Sequence, residues 1–362
     1  MKKLQVALVG CGTIGTSHVA NYMSLARDVE VIALCDKDGA RAAALADRYG
    51  IGRFYGTHAA LLDATKVDLV SVCTMPDTHL EICGAALRHG AHVLCEKPPG
   101  MHAAEIRALT GVAETAGRML TFGFNMRYLP PAARLRAFVA GGGLGRLVAT
   151  RAWAFHSFIP WTGRHQVKSL SGGGALASSA VHVIDLVMWI AGNPVPSSAS
   201  ASMARIFPRK RGGTAPDREL AGLFDVEDTL GGHIRFEDGS WMTLDCAWGQ
   251  DSTVETAYGF EMIGDAASLH WDTDVRVVAE RDGSPRDVTD EVLGLAPADR
   301  CVAWTAEGAA AALRAEIMDV VSAIKHGRAA LVRPSEAVAV QATVDALYRS
   351  AVDRKESAVA FG

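Results

Sequence analysis

The sequence predicts a two-part protein: an N-terminal α/β half built on a doubly wound parallel sheet, then a C-terminal α+β domain with a large, mostly antiparallel sheet. Three observations predict it. Short β-branched runs alternate with helical stretches up to about residue 122, which implies right-handed crossovers and a parallel sheet covered on both faces. The first run ends in a glycine-rich turn. Beyond Asn125 the pattern changes to strand-like segments separated by turn-forming or polar residues, with few helices between. A length of 362 residues suits two domains, which we place at 1–125 and 126–362.

Each element follows from local pattern. From Leu4 to Val9 the chain is apolar and stops at Gly10; from Ile14 to Leu25 the apolar spacing becomes helical. Val29 to Cys35 reads as a second strand, and the Ala-rich stretch from Ala40 to Tyr49 as a helix. Strands are then expected from Asp68 to Cys73, His92 to Cys95 and Met119 to Phe122, with helices from Thr78 to His89 and Ala103 to Ala116. In the second half Pro130 and Pro131 precede a helix, Gly141 to Gly145 form a turn, and Val148 to Phe155 alternates as a half-buried strand would. A helix from about Ala175 to Ile190 is stopped by Gly192 and Pro194. Strands are expected from Ser200 to Phe207, Asp228 to Phe236, Ser240 to Ala247, Ala257 to Ile263, Ser268 to Trp271 and Val275 to Glu280. Helices from Arg314 to Lys325 and Ser335 to Asp353 close the chain, and the Pro-, Arg- and Gly-rich stretch from Pro208 to Glu219 reads as an exposed loop.

Composition narrows the class. Hydrophobic residues at 49% and charged residues at 21% exclude wholesale disorder. The balance of 36 basic against 40 acidic residues gives no electrostatic case for nucleic acid as a partner. The run Arg209-Lys210-Arg211 is read as solvated surface. Seven scattered cysteines with no C-x-x-C pair favour neither a disulfide framework nor a zinc site, so no metal is expected and a reducing cytoplasm fits. The basic start meets glycines too soon for a signal peptide. No uninterrupted apolar run approaches the roughly 20 residues of a membrane helix, so no membrane partner is expected.

The residues from Gly10 to Gly15 fit G-x-G-x-x-G between a strand and a helix. Gly10 permits the tight turn, Gly12 lets a pyrophosphate approach the backbone, and Gly15 lets helix and strand pack closely; Thr13 and Ile14 open the helix whose N–H groups face the anion. Asp36, about 20 residues further on at the end of the second strand, suits the ribose hydroxyls of NAD and would repel the 2′-phosphate of NADP. Its other reading is a helix cap. Glu96-Lys97-Pro98 stands at the C-terminal end of a predicted strand, the edge where open α/β sheets bind ligands. Lys97 there can exchange a proton with a substrate hydroxyl if desolvation lowers its pKa, and a cis bond before Pro98 would fix its direction. His182 and Asp185, three residues apart on one helical face after a triple glycine, can relay a proton or hold a hydroxyl. A core role for His182 is the competing reading. Before the glycines, Trp161, Arg164 and Lys168 offer an aromatic face and cations for a sugar ring and its substituents.

Taken together, VALVGCGTIG, the segment from Thr74 to Pro98, Gly123-Phe124-Asn125-Met126-Arg127-Tyr128, GGGAL with His182 and Asp185, and Val226-Glu227-Asp228-Thr229 resemble the glucose–fructose oxidoreductase/inositol dehydrogenase (Gfo/Idh/MocA) family. The resemblance runs along nearly the whole chain. It implies a Rossmann domain, a substrate and oligomerisation domain, and hydride transfer between NAD (NADP less readily) and a secondary alcohol carbon of a sugar, amino sugar or cyclitol. By this resemblance Lys97 is the acid/base, His182 binds or relays at the reacting oxygen, and Asp185 binds substrate hydroxyls. Thr74, Pro76, His79, Glu96 and Asn125 line the nicotinamide side, and a homodimer or homotetramer is implied.

One departure stands out. Many members carry an acidic residue four positions before the histidine, where this chain has Ser178, and a serine cannot take up negative charge at neutral pH. Two alternatives therefore remain beside the dehydrogenase: a glycosidase that recycles NAD, and a dinucleotide- and sugar-binding regulator without catalysis.

Overall fold

Strand β1 (Leu4–Val9) lies at the centre of a six-stranded parallel sheet. It is joined by β2 (Val29–Cys35), β3 (Phe54–Tyr55), β4 (Leu69–Val72), β5 (His92–Cys95) and β6 (Leu120–Phe122), in the order β3-β2-β1-β4-β5-β6. Every residue of β4 is buried, as are the last four of β1, which is why these strands read as continuous apolar runs rather than alternating ones. The crossovers carry α1 (Thr13–Ser24), α2 (Gly39–Tyr49), α3 (His58–Ala64), α4 (His79–Arg88) and α5 (Ala103–Ala116). Strand order reverses between β1 and β4, and the crevice at the C-terminal ends of those strands is where such sheets bind ligands. The computed structural model describes residues 2–158, 163–206, 224–250, 256–296, 300 and 306–361.

After α6 (Pro130–Ala140) a second sheet begins with β7 (Leu147–His156). Short helix α7 (Lys168–Ser171) and α8 (Val181–Ile190) precede β8 (Pro196–Ala204), β9 (Thr229–Phe236), β10 (Trp241–Trp248), β11 (Thr256–Gly264), β12 (Ala267–Trp271), β13 (Val275–Arg281) and β14 (Ser284–Asp287). With β15 (Ser357–Ala358) the order is β14-β13-β12-β11-β7-β10-β9-β8-β15. Only the β10–β7 pairing is parallel, among the described residues; the others are antiparallel. All ten residues of α8 are buried. The stretch Lys168–Ile190 is long and apolar enough by composition to cross a membrane, yet it is wholly buried in the fold, as a core helix is.

Helices α9 (Thr289–Leu293), α10 (Ala306–His326) and α11 (Pro334–Asp353) follow. The chain forms two compact units: Met1–Phe124 with Leu313–Val338, and Asn125–Ala312 with Ala339–Gly362. In the first, Leu313, Ile317, Val320 and Val321 of α10 join Val6, Leu8, Val19 and Tyr22 in one core. Their spacing is that of a single apolar helix face. Lys325, in the last turn of α10, pairs with Asp28.

Several elements differ from the sequence reading. β3 and α3 have too few residues to show a period. α10 starts at Ala306 rather than near Arg314 because the alanines before Leu313 are strong helix formers. The helix expected from Ala175 is a π-helical turn, Leu176–Ala180, that runs into α8. The loop from Pro208 to Glu219, with Arg209, Lys210 and Arg211, lies outside the described residues.

Candidate active site

The glycine loop is shaped by close approach. Gly10 has φ +99°, and a Cβ there would overlap the Cys73 carbonyl oxygen; one on Gly15 would overlap the carbonyl of Gly10. Around Gly12 no atom lies within 4 Å of where a Cβ would stand. No side chain caps α1 at the Thr13–Ile14 end, so its first-turn N–H groups are left to water or an anion.

Asp36 is buried at the end of β2 and ties this loop down. Its Oδ2 accepts from the Cys11 N–H at 2.8 Å and its Oδ1 from the Asp38 N–H at 2.9 Å. It is not the cap of α2; Asp38 is, accepting from the Arg41 N–H at 3.1 Å. The Arg41 guanidinium lies 3.7 Å from Asp36 and 3.4 Å from Asp38, a neighbour the sequence reading missed. Burial first, then the Asp36 charge, pushes the Cys11 thiol up to about 12, so it stays protonated.

Beyond β4, Thr74 Oγ1 accepts from Thr78 Oγ1 at 2.8 Å, and buried Pro76 opens a single 3-10 turn into α4. His79 is fully buried, with its ring nitrogens 3.2 Å from the Thr74 carbonyl and 3.1 Å from the Pro98 carbonyl. Burial holds its pKa below the ordinary value. Both nitrogens face protein carbonyls, so His79 braces the segments on either side of it rather than presenting its ring outward.

Glu96 and Lys97 directly follow β5. Glu96 Oε1 lies 3.0 Å from His18 Nε2, and Oε2 accepts from the Lys97 N–H at 3.2 Å. Burial raises the Glu96 pKa, but the hydrogen bond and charge of His18, followed by the charge and N–H of Lys97, outweigh it and leave the carboxyl below its ordinary range. Lys97 is half-buried and the Lys97–Pro98 peptide is cis, as the sequence suggests. Burial lowers the Lys97 pKa from 10.5 and the Glu96 charge raises it; burial prevails.

In the second unit the triple glycine is a site of close packing. A Cβ on Gly173 would overlap the Tyr348 hydroxyl, and one on Gly174 the Glu227 carbonyl. The Glu227 carboxylate accepts from Gly174 N–H at 3.0 Å, Leu176 N–H at 2.9 Å and the Tyr348 hydroxyl at 2.8 Å. It thereby holds the start of the π-helical turn that carries Ser178, a capping role its sequence position did not reveal. Ser178 is buried, and the Ser179 hydroxyl accepts from Trp248 Nε1 at 2.8 Å. His182, one turn on, is 5% exposed.

Asp185, expected to hold substrate hydroxyls, is held by the protein itself. It is fully buried, and Arg127 engages both its oxygens, Nε to Oδ2 at 2.8 Å and a terminal nitrogen to Oδ1 at 2.5 Å. Both donors sit on one guanidinium, whose planar fork matches a carboxylate. Asn125, in the same turn as Arg127 (Asn125–Tyr128), has a buried Oδ1 with no hydrogen-bond partner among the described residues. Arg164 and Lys168 are exposed, with Lys168 Nζ 5.8 Å from the centre of the Tyr348 ring. Trp161 lies outside the described residues. No group of three His, Cys, Asp or Glu able to hold a metal occurs among the described residues.

Residues 4–124 match the oxidoreductase family with an NAD-binding Rossmann fold, and residues 132–270 match the GFO/IDH/MocA C-terminal domain. The chain belongs to the GFO/IDH/MocA family. It is 33% identical over 266 residues to D-glucoside 3-dehydrogenase of Escherichia coli (strain K12), across 73% of this chain and 76% of that protein. It is 30% identical over 265 residues to 1,5-anhydro-D-fructose reductase of Ensifer adhaerens, across 72% and 74%. The crystal structure of GenD2 from gentamicin A biosynthesis, in complex with NAD, matches with a TM-score of 0.80 at 26% identity, covering 99% of this chain and 97% of that one. As a GFO/IDH/MocA protein the chain is an oxidoreductase with an NAD-binding domain. Its residues fit that cofactor: open space over Gly12, an uncapped helix N-terminus for the pyrophosphate, and the Asp36 carboxylate for the ribose.

Proposed function

We propose that this protein is an NAD-dependent dehydrogenase that moves a hydride between the cofactor and a secondary alcohol carbon of a sugar, amino sugar or cyclitol. Lys97 is the acid/base and His182 holds the reacting oxygen. The observation that carries the proposal is Lys97 itself: a half-buried lysine at the C-terminal end of β5 whose surroundings favour loss of its proton. The names of the relatives support the substrate class, and the D-glucoside 3-dehydrogenase likeness makes D-glucosides the first compounds to test.

When bound, the nicotinamide supplies the position that accepts or returns the hydride. In oxidation, neutral Lys97 Nζ takes the hydroxyl proton; in reduction, the ammonium returns it. Glu96 holds the lysine's end of the strand through the Lys97 N–H. Arg127 holds Asp185, and Asp185 in turn fixes α8, which carries His182. Ser178 cannot carry charge, so the proposal leaves Lys97 and His182 as the proton carriers. Net NADH formation across sugars, amino sugars, inositols and D-glucosides tests the reading. NADH formed with one polyol and lost in Lys97→Met supports it, and a rate unaffected by that substitution contradicts it. NAD bound with no net NADH on any compound would favour the cofactor-recycling glycosidase or the regulator.

A further inference from the structure

α1 carries a histidine into the interior of the first unit. His18 is fully buried, one turn beyond the glycine loop. Its Nε2 lies 3.0 Å from Glu96 Oε1 and its Nδ1 3.4 Å from Ser71 Oγ, on β4. The Ser71 hydroxyl lies 2.6 Å from Tyr22 Oη, back on α1. With the Lys97 N–H on Glu96 Oε2, a hydrogen-bonded chain runs from Tyr22 through Ser71, His18 and Glu96 to the backbone of Lys97. An ionised carboxylate only accepts, so Nε2 carries the proton in its bond to Glu96. Ser71 and Tyr22 continue the chain from Nδ1 through hydroxyls that can donate or accept, so the proton on Nε2 is dictated by the Glu96 carboxylate.

A carboxylate out of water keeps its charge only where donors take water's place. Gly123 closes over Glu96 from the end of β6, where a Cβ would come to 3.1 Å from Oε2. The titratable groups acting with Glu96 are His18 from α1, Cys73 beyond β4, His79 at the start of α4, and Cys95 and Lys97 beside it in sequence. Burial keeps both thiols protonated, and His79 faces carbonyl groups. The His18 ring hydrogen-bonds the Glu96 carboxylate directly.

We propose that His18 is a positioning residue for Lys97: by donating from Nε2 it keeps the Glu96 carboxylate ionised and fixed beside Lys97, and so sets the pH at which Lys97 gives up its proton. The inference rests on Lys97 as the acid/base of the proposed dehydrogenase. Without His18, burial drives a proton onto Glu96, the opposing charge beside Lys97 is lost, and the ammonium is left with burial alone. Lys97 then deprotonates at lower pH.

The test uses the full chain and a readout that needs no turnover: the rate of acetylation of Lys97 by acetic anhydride as a function of pH, measured by peptide mass spectrometry. His18→Leu should move the Lys97 midpoint down by about one pH unit, roughly a tenfold change in reactivity on the rising limb. His18→Gln, whose amide can still donate to Glu96, should restore it. In turnover, the acid limb of kcat/KM for oxidation should shift with the acetylation midpoint. An unmoved midpoint in His18→Leu, with NAD binding retained, overturns the inference; so does an equal shift in His18→Gln. Should the leucine variant not fold, Glu96→Gln removes the charge that His18 holds in place and should move the Lys97 midpoint down in the same sense, and no shift there overturns the inference as well. A midpoint that moves while turnover proves independent of Lys97 upholds the role of His18 and overturns the acid/base assignment, so the two readings fail separately.

Discussion

At Lys97 two opposed effects meet on one ammonium. Removal from water disfavours the charged form and the neighbouring Glu96 favours it, with burial the stronger. The sign of the pH dependence follows. Oxidation needs the neutral amine, so kcat/KM for alcohol oxidation should climb with pH and level off below 10.5, the ordinary lysine value. Ketone reduction needs the ammonium and should fall through the same pH range; matched pH profiles in the two directions check this. Asp36 makes a second prediction. Its carboxylate holds the Cys11 and Asp38 N–H groups at the end of β2, and in the proposed function it reads the NAD ribose. Asp36→Ala should reduce the preference for NAD over NADP by roughly tenfold or more, measured as the ratio of kcat/KM values, and Arg41 is the cation left to meet a 2′-phosphate. Lys97 and Asp36 were legible as candidates because each follows a strand in a recognisable pattern. His18 was not, since a single histidine in a helix gives no sign of a partner 78 residues away.

Among the elements, the turn Asn125–Tyr128 and α8 are joined by the Arg127–Asp185 pair. Removing one member of a buried ion pair leaves the other uncompensated. Asp185→Ala should therefore destabilise the protein by about 3–5 kcal/mol, seen as a lower denaturant midpoint, and Arg127→Met combined with Asp185→Leu should recover much of it. A substrate contact at Asp185 would instead raise KM and leave stability unchanged. H-x-x-D spacing shows that His182 and Asp185 share a helical face but not which residue answers each. The sequence likewise marks the triple glycine as a break. It does not mark the close approach of Glu227 and Tyr348 that excludes side chains at Gly173 and Gly174, because both partners lie far along the chain.

For the molecule as a whole, the path of the chain matters. It completes six parallel strands by Phe122, builds its second sheet, and then returns Leu313–Val338 to the first unit. The apolar face of α10 shows in its spacing, but spacing alone does not say which core a helix covers, and so the sequence reading kept this segment with the second domain. Leu313, Ile317, Val320 and Val321 complete the core around β1 and α1. A fragment of residues 1–124 should accordingly expose apolar surface, bind a hydrophobic dye and melt without a sharp transition; appending residues 313–338 through a flexible linker should restore cooperative unfolding. Calorimetry of the two fragments distinguishes this from a first unit that is complete at Phe124.

The measurement that tests the central claim most directly is net NADH formation by the wild-type protein and by Lys97→Met, on D-glucosides, free sugars, amino sugars and inositols, with NAD binding followed in both. The account predicts NADH with a particular polyol in the wild type, at least about 100-fold less in the variant, and nearly equal NAD affinity. Equal rates in the two proteins, or NAD bound with no net NADH from any of these compounds, would contradict it.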